Sequence, residues 1–203
     1  RTQSALLEAM EEKQFTVDGA TRPLPQPFMV LATQNPVETE GTFPLPAAQQ
    51  DRFILTVKLG YPTREDEETI IDKHAFGNIM DTLQPLLDPH TAQHLQNMTE
   101  QVYLEDSLLQ YILDLVAATR HHEEIELALS PRASLGMVRA AKAMAMLRGR
   151  DYVLPDDIKQ LIKPVFAHRL KLKATERYKG RQNKKLLELL TDQLPLPVLT
   201  SNG

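Results

Sequence analysis

Residues 28–53 read FMVLATQNPVETEGTFPLPAAQQDRF, and the reading of this passage decides the fold. Its first six residues form an apolar run of strand length, and the run ends at Gln34-Asn35-Pro36. A run without polar alternation is the pattern of a strand buried on both faces of a parallel sheet. The sequence therefore predicts a strand over residues 28–33. One such strand cannot make a sheet, so its partners are expected from outside the 203 residues. The opening RTQSALLEAMEEKQF agrees with that expectation: Leu6, Leu7 and Met10 share one helical stripe, which predicts a helix over about residues 2–13 with no cap or lead-in.

Between that helix and the strand, QFTVDGATRPLP alternates around Asp18-Gly19, the dipeptide that supplies positive backbone angles in tight hairpins. A small β-hairpin is expected there. After Tyr61-Pro62 the periodicity becomes helical. Thr63-Arg64-Glu65-Asp66 resembles a capping box with Asp in the Glu position, opening a helix that Gly77 ends. Further helices are expected at about residues 90–99, 107–122, 131–148, 155–169 and 182–193. The fold class that follows is an α/β remnant over residues 1–60 and an all-α domain over residues 61–203, mostly helical overall.

Composition sets further bounds. With 42% apolar and 25% charged residues the chain lies in the ordinary globular range. It has no cysteine, which excludes disulfides, thiolate metal sites and a cysteine nucleophile. No apolar run approaches the roughly 20 residues that cross a bilayer, so the chain reads as soluble and cytoplasmic. The net charge of −4 conceals an asymmetry, because twelve of the 23 Lys and Arg residues lie between Arg148 and Lys185. That stretch reads as the solvated faces of helices or, alternatively, as a surface for nucleic acid or an acidic protein.

Three residues are candidates for chemistry. Asn35 stands where the apolar run ends, and in open α/β sheets ligands collect beyond the carboxyl ends of the strands. Its amide can hold a water or a phosphate oxygen, or Thr33-Gln34-Asn35 can simply form a turn before Pro36. Arg52 follows Asp51 and precedes the apolar Phe53-Ile54-Leu55, so its backbone is anchored while its head reaches outward. It is either a finger toward another subunit's phosphate or the partner of a carboxylate such as Asp51. Arg132 follows Ser130-Pro131, a good cap and first helical residue, and so falls in the first turn of a helix, where the dipole repels a cation. A bound anion would make that placement favourable, and so would an ion pair with an acid such as Glu126. The pairs His90 with His94 and His121 with His122 lack the Glu of a zinc-protease motif, and no metal site is assigned to them.

GxxxxGK[ST] is absent, as is an apolar strand ending in Asp-Glu, so the chain is expected to carry only the accessory half of a phosphate site. QSALLEAMEE, the VDG hairpin, LATQNPVETEGTFPLPAAQQDRF, LSPRA and DYVLPDDIKQLIKPVFAHRL, in that order over about residues 3–170, resemble the MoxR family of AAA+ ATPases. The resemblance begins just after the family's second nucleotide motif. Residues 1–60 would then be the C-terminal part of the α/β P-loop core with its hairpin before sensor 1, and residues 61–203 the helical lid.

The resemblance also implies roles. Asn35 matches sensor 1, which positions the attacking water beside the γ-phosphate; Arg52 matches the arginine finger, acting on the neighbouring subunit; and Arg132 matches sensor 2, which reports the nucleotide to the helical lid. ATP and Mg2+ would be bound between subunits of a homo-oligomeric ring, a hexamer, that remodels or matures a partner complex, with a von Willebrand factor A domain protein as a possible partner. The fragment alone is expected to be inactive. Two departures stand out: Ala47 occupies a position where the family commonly has Glu, and residues 78–101 carry no family motif. The alternative reading is a non-enzymatic helical module that binds nucleic acid or an acidic protein through its basic C-terminal stretch.

Overall fold

Asp18 and Gly19 turn the chain back on itself with φ of 50° and 77°, the double positive pair of a type I′ turn. They join β1 (Gln14–Val17) to β2 (Ala20–Pro23) in an antiparallel register that sets Phe15 against Arg22 and Thr16 against Thr21. The two threonine hydroxyls lie 3.1 Å apart across the strands. This is the expected hairpin. The structure is a computed structural model that describes residues 9, 10, 12–34, 45–75, 83–179, 182–195 and 197. Residues 9, 10 and 12 are helical, in keeping with the expected first helix; Lys13, at its expected end, is already a bend with φ of 53°, and the helix's other residues lie outside those described.

The expected strand at residues 28–33 does not form. Residues 28–34 have no regular structure, and Met29 and Leu31 are 75% and 83% exposed. The physical reason is lateral: a strand is held by ladder hydrogen bonds to a neighbour, and among the described residues none pairs with this segment. A short helix, α1 (Ala47–Gln50), leads into a turn over residues 51–54, and residues 55–63 then have no regular structure up to the start of the next helix.

Helix α2 (Arg64–Ala75) opens on the expected capping box. The backbone N–H of Thr63 donates to Asp66 Oδ2 at 3.2 Å, and the N–H of Asp66 donates to Thr63 Oγ1 at 3.2 Å. The expected stop at Gly77 lies outside the described residues.

The remaining helices are α3 (Pro89–Gln101), α4 (Asp106–His121), α5 (Pro131–Leu147) and α6 (Pro155–Phe166), followed by a single short turn of helix, α7 (Ala174–Tyr178), and by α8 (Asn183–Gln193). Each long one lies within a few residues of its expected position. Leu108, Ile112, Leu115 and Val116 of α4 face Ala133, Met137 and Ala141 of α5, Ile158, Ile162 and Phe166 of α6, and Leu186 and Leu187 of α8 in one core. The spacing of three and four residues turns a single stripe of each helix inward. Each large side chain so buried contributes about 1.5–3 kcal/mol from the apolar surface withdrawn from water.

Polar contacts hold the helix ends. Asp88 caps α3 by accepting from the Thr91 N–H at 2.8 Å, with Pro89 at the first helical position. At the start of α6, the fully buried carboxylate of Asp157 accepts from the Leu154 N–H at 2.8 Å, from Arg148 at 2.8 Å and from both terminal nitrogens of Arg150 at 2.8 and 2.7 Å. The Asn183 amide donates to the carbonyls of Ala167 and Leu170 at 2.9 and 2.7 Å, tying α8 to the end of α6. Two strands too short for sequence periodicity to reveal, β3 (Ile125–Leu127) and β4 (Lys171–Leu172), pair antiparallel beside α4. Among the described residues no helix is long and apolar enough to cross a membrane.

Candidate functional site

Arg52 and Arg132, far apart in the sequence, open onto the same concavity. Its volume is about 380 Å³, and Arg139 and Arg169 line it as well, together with Ile54, Leu135 and Gly136. Arg132 and Arg139 are seven residues apart on α5, two turns of one face. The spacing was visible in the sequence, although Arg139 had not been singled out. Asn35 lies outside the described residues.

Asp51 is the acid around which these arginines are organised. Its Oδ2 accepts from the Ser130 hydroxyl at 2.8 Å and lies 3.5 Å from Arg132 Nη1. Its Oδ1 lies 3.1 Å from Arg169 Nε. The acid that Arg132 meets is therefore Asp51 and not Glu126, which pairs with Lys171 at 2.5 Å across β3 and β4. Ser130 has the extended backbone of a cap, but its hydroxyl is directed to Asp51 instead of the helix N–H groups. Asp51 had entered the sequence reading only as a possible partner for Arg52.

Arg169 is almost wholly buried, with its side chain 2% exposed. It donates through Nη1 to the Val165 carbonyl at 2.8 Å, and through Nη2 to the carbonyls of Asp51 and Phe53 at 3.2 and 2.7 Å. Burial presses the guanidinium below its ordinary pKa, the facing Asp51 carboxylate pushes it back up, and an arginine in such company stays charged. Beside it, burial lowers the pKa of His168, whose neutral ring at pH 7 places Nε2 3.0 Å from the Phe53 carbonyl, the geometry of an N–H donor. The Thr56 N–H donates to the Pro164 carbonyl at 2.9 Å. Residues 51–56 are thus fastened by main-chain carbonyls and amides to the last turns of α6.

Gly136 explains how α5 comes so close. A Cβ built there would stand 3.2 and 3.3 Å from the two terminal nitrogens of Arg169. Glycine inside a helix costs about 1 kcal/mol relative to alanine, and at this position the missing side chain is the space the guanidinium occupies. A glycine interrupting an alanine-rich helix was the one sequence signal for this contact.

Among the described residues that line the concavity the charged ones are all basic. Four guanidinium groups line it, and Asp51 is the carboxylate that meets two of them. Like charges that share a concavity repel, and the charge of Arg132 acts on Arg169. An anion entering from solvent would remove that repulsion and accept several charge-assisted hydrogen bonds. Of the twelve basic residues from Arg148 to Lys185, six are in ion pairs among the described residues: Arg148 and Arg150 bind Asp157, Lys163 pairs with Glu188, Arg169 with Asp51, Lys171 with Glu126 and Lys179 with Glu176. His90 and His94 both lie exposed on α3.

Similarity to known proteins covers the whole of this architecture. Residues 1–55 match the family described as ATPase family associated with various cellular activities, and residues 117–188 match an AAA lid domain. The chain is 41% identical over 201 residues to the uncharacterized protein YeaC of Bacillus subtilis, covering 99% of this chain and 63% of that protein. It is 40% identical over 181 residues to the chaperone MoxR1 of Mycobacterium tuberculosis, covering 85% of this chain and 48% of that protein. The crystal structure of a candidate ATPase from Cytophaga hutchinsonii superposes with a TM-score of 0.89 at 37% identity, over 97% of this chain and 62% of that one. The chain therefore spans between 48% and 63% of the length of these three proteins.

Proposed function

Since the chain belongs to the MoxR family of AAA+ ATPases, we propose that its arginine-lined concavity receives the phosphate end of ATP held by a neighbouring subunit. The observation that carries this reading is the convergence of Arg52 and Arg132 on one arginine-lined cavity. A hydrolysed γ-phosphate spreads negative charge over its oxygens, and an arginine placed against it is worth about 10³–10⁵ in rate. Asn35, as sensor 1, positions the attacking water on the subunit's own nucleotide.

The shared cavity changes the role of Arg132. If Arg52 acts across the interface, Arg132 acts across the same interface, because the two guanidinium groups line one space. Both then serve the neighbour's phosphate, with Arg132 the nucleotide-binding residue of the pair. The donor set of the cavity does not fit Mg2+, a hard cation that takes oxygen ligands: its cations are guanidiniums, and Asp51 is committed to Ser130, Arg132 and Arg169.

In this reading residues 1–60 belong to the ATPase core and residues 61–203 to the lid. The full-length protein forms a cytoplasmic ring, a hexamer, whose ATP turnover remodels or matures a partner complex, a von Willebrand factor A domain protein among the candidates. The test mixes full-length subunits carrying Arg52→Ala with subunits defective in the phosphate loop. Recovered ATPase activity, with neither parent active, is the expected result; its absence would remove action in trans.

A further inference from the structure

The two residues flanking Arg52 are held by one buried side chain. Arg169 Nη2 takes the main-chain carbonyls of Asp51 and Phe53, while its Nε meets the Asp51 carboxylate at 3.1 Å. Its other terminal nitrogen is anchored on the Val165 carbonyl of α6. The same Asp51 carboxylate accepts from Ser130 at the start of α5 and lies 3.5 Å from Arg132. The main chain on either side of Arg52 and the Arg132 side chain are therefore connected through Asp51 and Arg169.

We propose that Asp51 and Arg169, seated against Gly136, are positioning residues that hold Arg52 and Arg132 at a fixed separation, so that the lid helices present both guanidiniums to the phosphate as one rigid unit. The proposal rests on the reading of the cavity as a phosphate site. Three features favour positioning over simple packing. Arg169 spends its donors on the backbone either side of Arg52, where they govern the direction of that side chain. Asp51 reaches both the turn that carries Arg52 and the helix end that carries Arg132. Gly136 leaves room for the guanidinium, which an added Cβ would meet at 3.2 Å, so α5, α6 and the Arg52 turn come together at one side chain.

The contact at Gly136 allows a test that changes no charge. Gly136→Ala pushes Arg169 by a few tenths of an ångström, and Arg169→Lys keeps the charge while losing the fork that grips two carbonyls at once. Full-length protein carrying each substitution is assayed for ATP hydrolysis well below its own melting temperature, with Arg52→Ala as the reference.

The expected result is a fall in kcat of at least about tenfold for both variants, with KM for ATP within about twofold of the parent, because misplacing a group by a fraction of an ångström weakens the transition state more than binding. Should Gly136→Ala fail to fold, Arg169→Lys carries the measurement alone. If Arg52→Ala abolishes turnover while the folded variants keep kcat within about twofold, the positioning role is overturned and the phosphate site stands. If KM rises in step with the fall in kcat, the positioning role is likewise overturned. If Arg52→Ala itself keeps full turnover, the phosphate site falls and this inference with it.

Discussion

Replacing Asp157 by Asn keeps the shape of a fully buried side chain and removes its charge. In the folded protein that carboxylate accepts four hydrogen bonds between 2.7 and 2.8 Å, three from Arg148 and Arg150 and one from the Leu154 N–H. Breaking a buried ion pair costs about 3–5 kcal/mol. Here the Arg148 and Arg150 side chains are 38% and 18% exposed and regain water when the charge is lost, so the lower end, about 3 kcal/mol, applies. For a chain of this size each kcal/mol shifts the melting temperature by about 2–4 °C, which gives a fall of about 9 °C at pH 7 by circular dichroism.

Acid provides a second readout of the same contact. Burial alone would raise the Asp157 pKa, but the hydrogen bonds from Arg150 and Leu154 and the charges of Arg150 and Arg148 bring it below the ordinary value. A carboxyl whose folded pKa is depressed stabilises the fold above its unfolded pKa, about 3.9, and loses that contribution as pH falls through the folded pKa. The gap between the parent and Asp157→Asn is therefore constant from about pH 7 to 5 and narrows below about pH 4. A drop of less than about 2 °C at pH 7, or a gap that does not narrow in acid, would refute the reasoning.

Two other outcomes follow from the fold and the site. Phe166→Ala empties a position with 0% exposure at the meeting of α6 with its neighbours, and urea unfolding should show a loss of about 3–5 kcal/mol, against less than about 1 if the core were packed otherwise. Purified residues 1–203 mixed with ATP and Mg2+ should release no phosphate above background, because no phosphate loop is present in the sequence; measurable turnover would contradict the assignment of an accessory role.

Local signals carried most of the fold. Asp18-Gly19 announced the hairpin, the Thr63 and Asp66 pair announced the start of α2, and apolar stripes announced five further helices to within a few residues. The strand expected at residues 28–33 is not formed for a reason inherent in sheets: its apolar run is a local property, but its hydrogen bonds need a neighbour, and none of the described residues provides one. The strands β3 and β4 are too short to have a period, which is why Glu126 was offered as the acid for Arg132 when Lys171 already holds it.

The site was half visible. Arg52 was marked by an anchored backbone with an outward head, and Arg132 by its unfavourable place in a first helical turn. Their meeting in one cavity depends on how α5 packs against residues 51–56, and no spacing along the chain encodes it. Arg169 was the least accessible to sequence reading. A buried arginine has no periodic signature, and its partners are main-chain carbonyls, which every residue possesses.

The central claim is that Arg52 and Arg132 of one subunit act together on one nucleotide, and a complementation experiment tests it most directly. Full-length Arg52→Ala subunits are mixed with full-length Arg132→Ala subunits, each having first been shown to be inactive alone and to assemble with the parent protein. If both arginines serve the same neighbouring site, every cavity in the mixed rings lacks one of them, and the mixture stays inactive. If they served different sites, about a quarter of the interfaces in a random one-to-one mixture would be intact, and the activity recovered there would contradict the account.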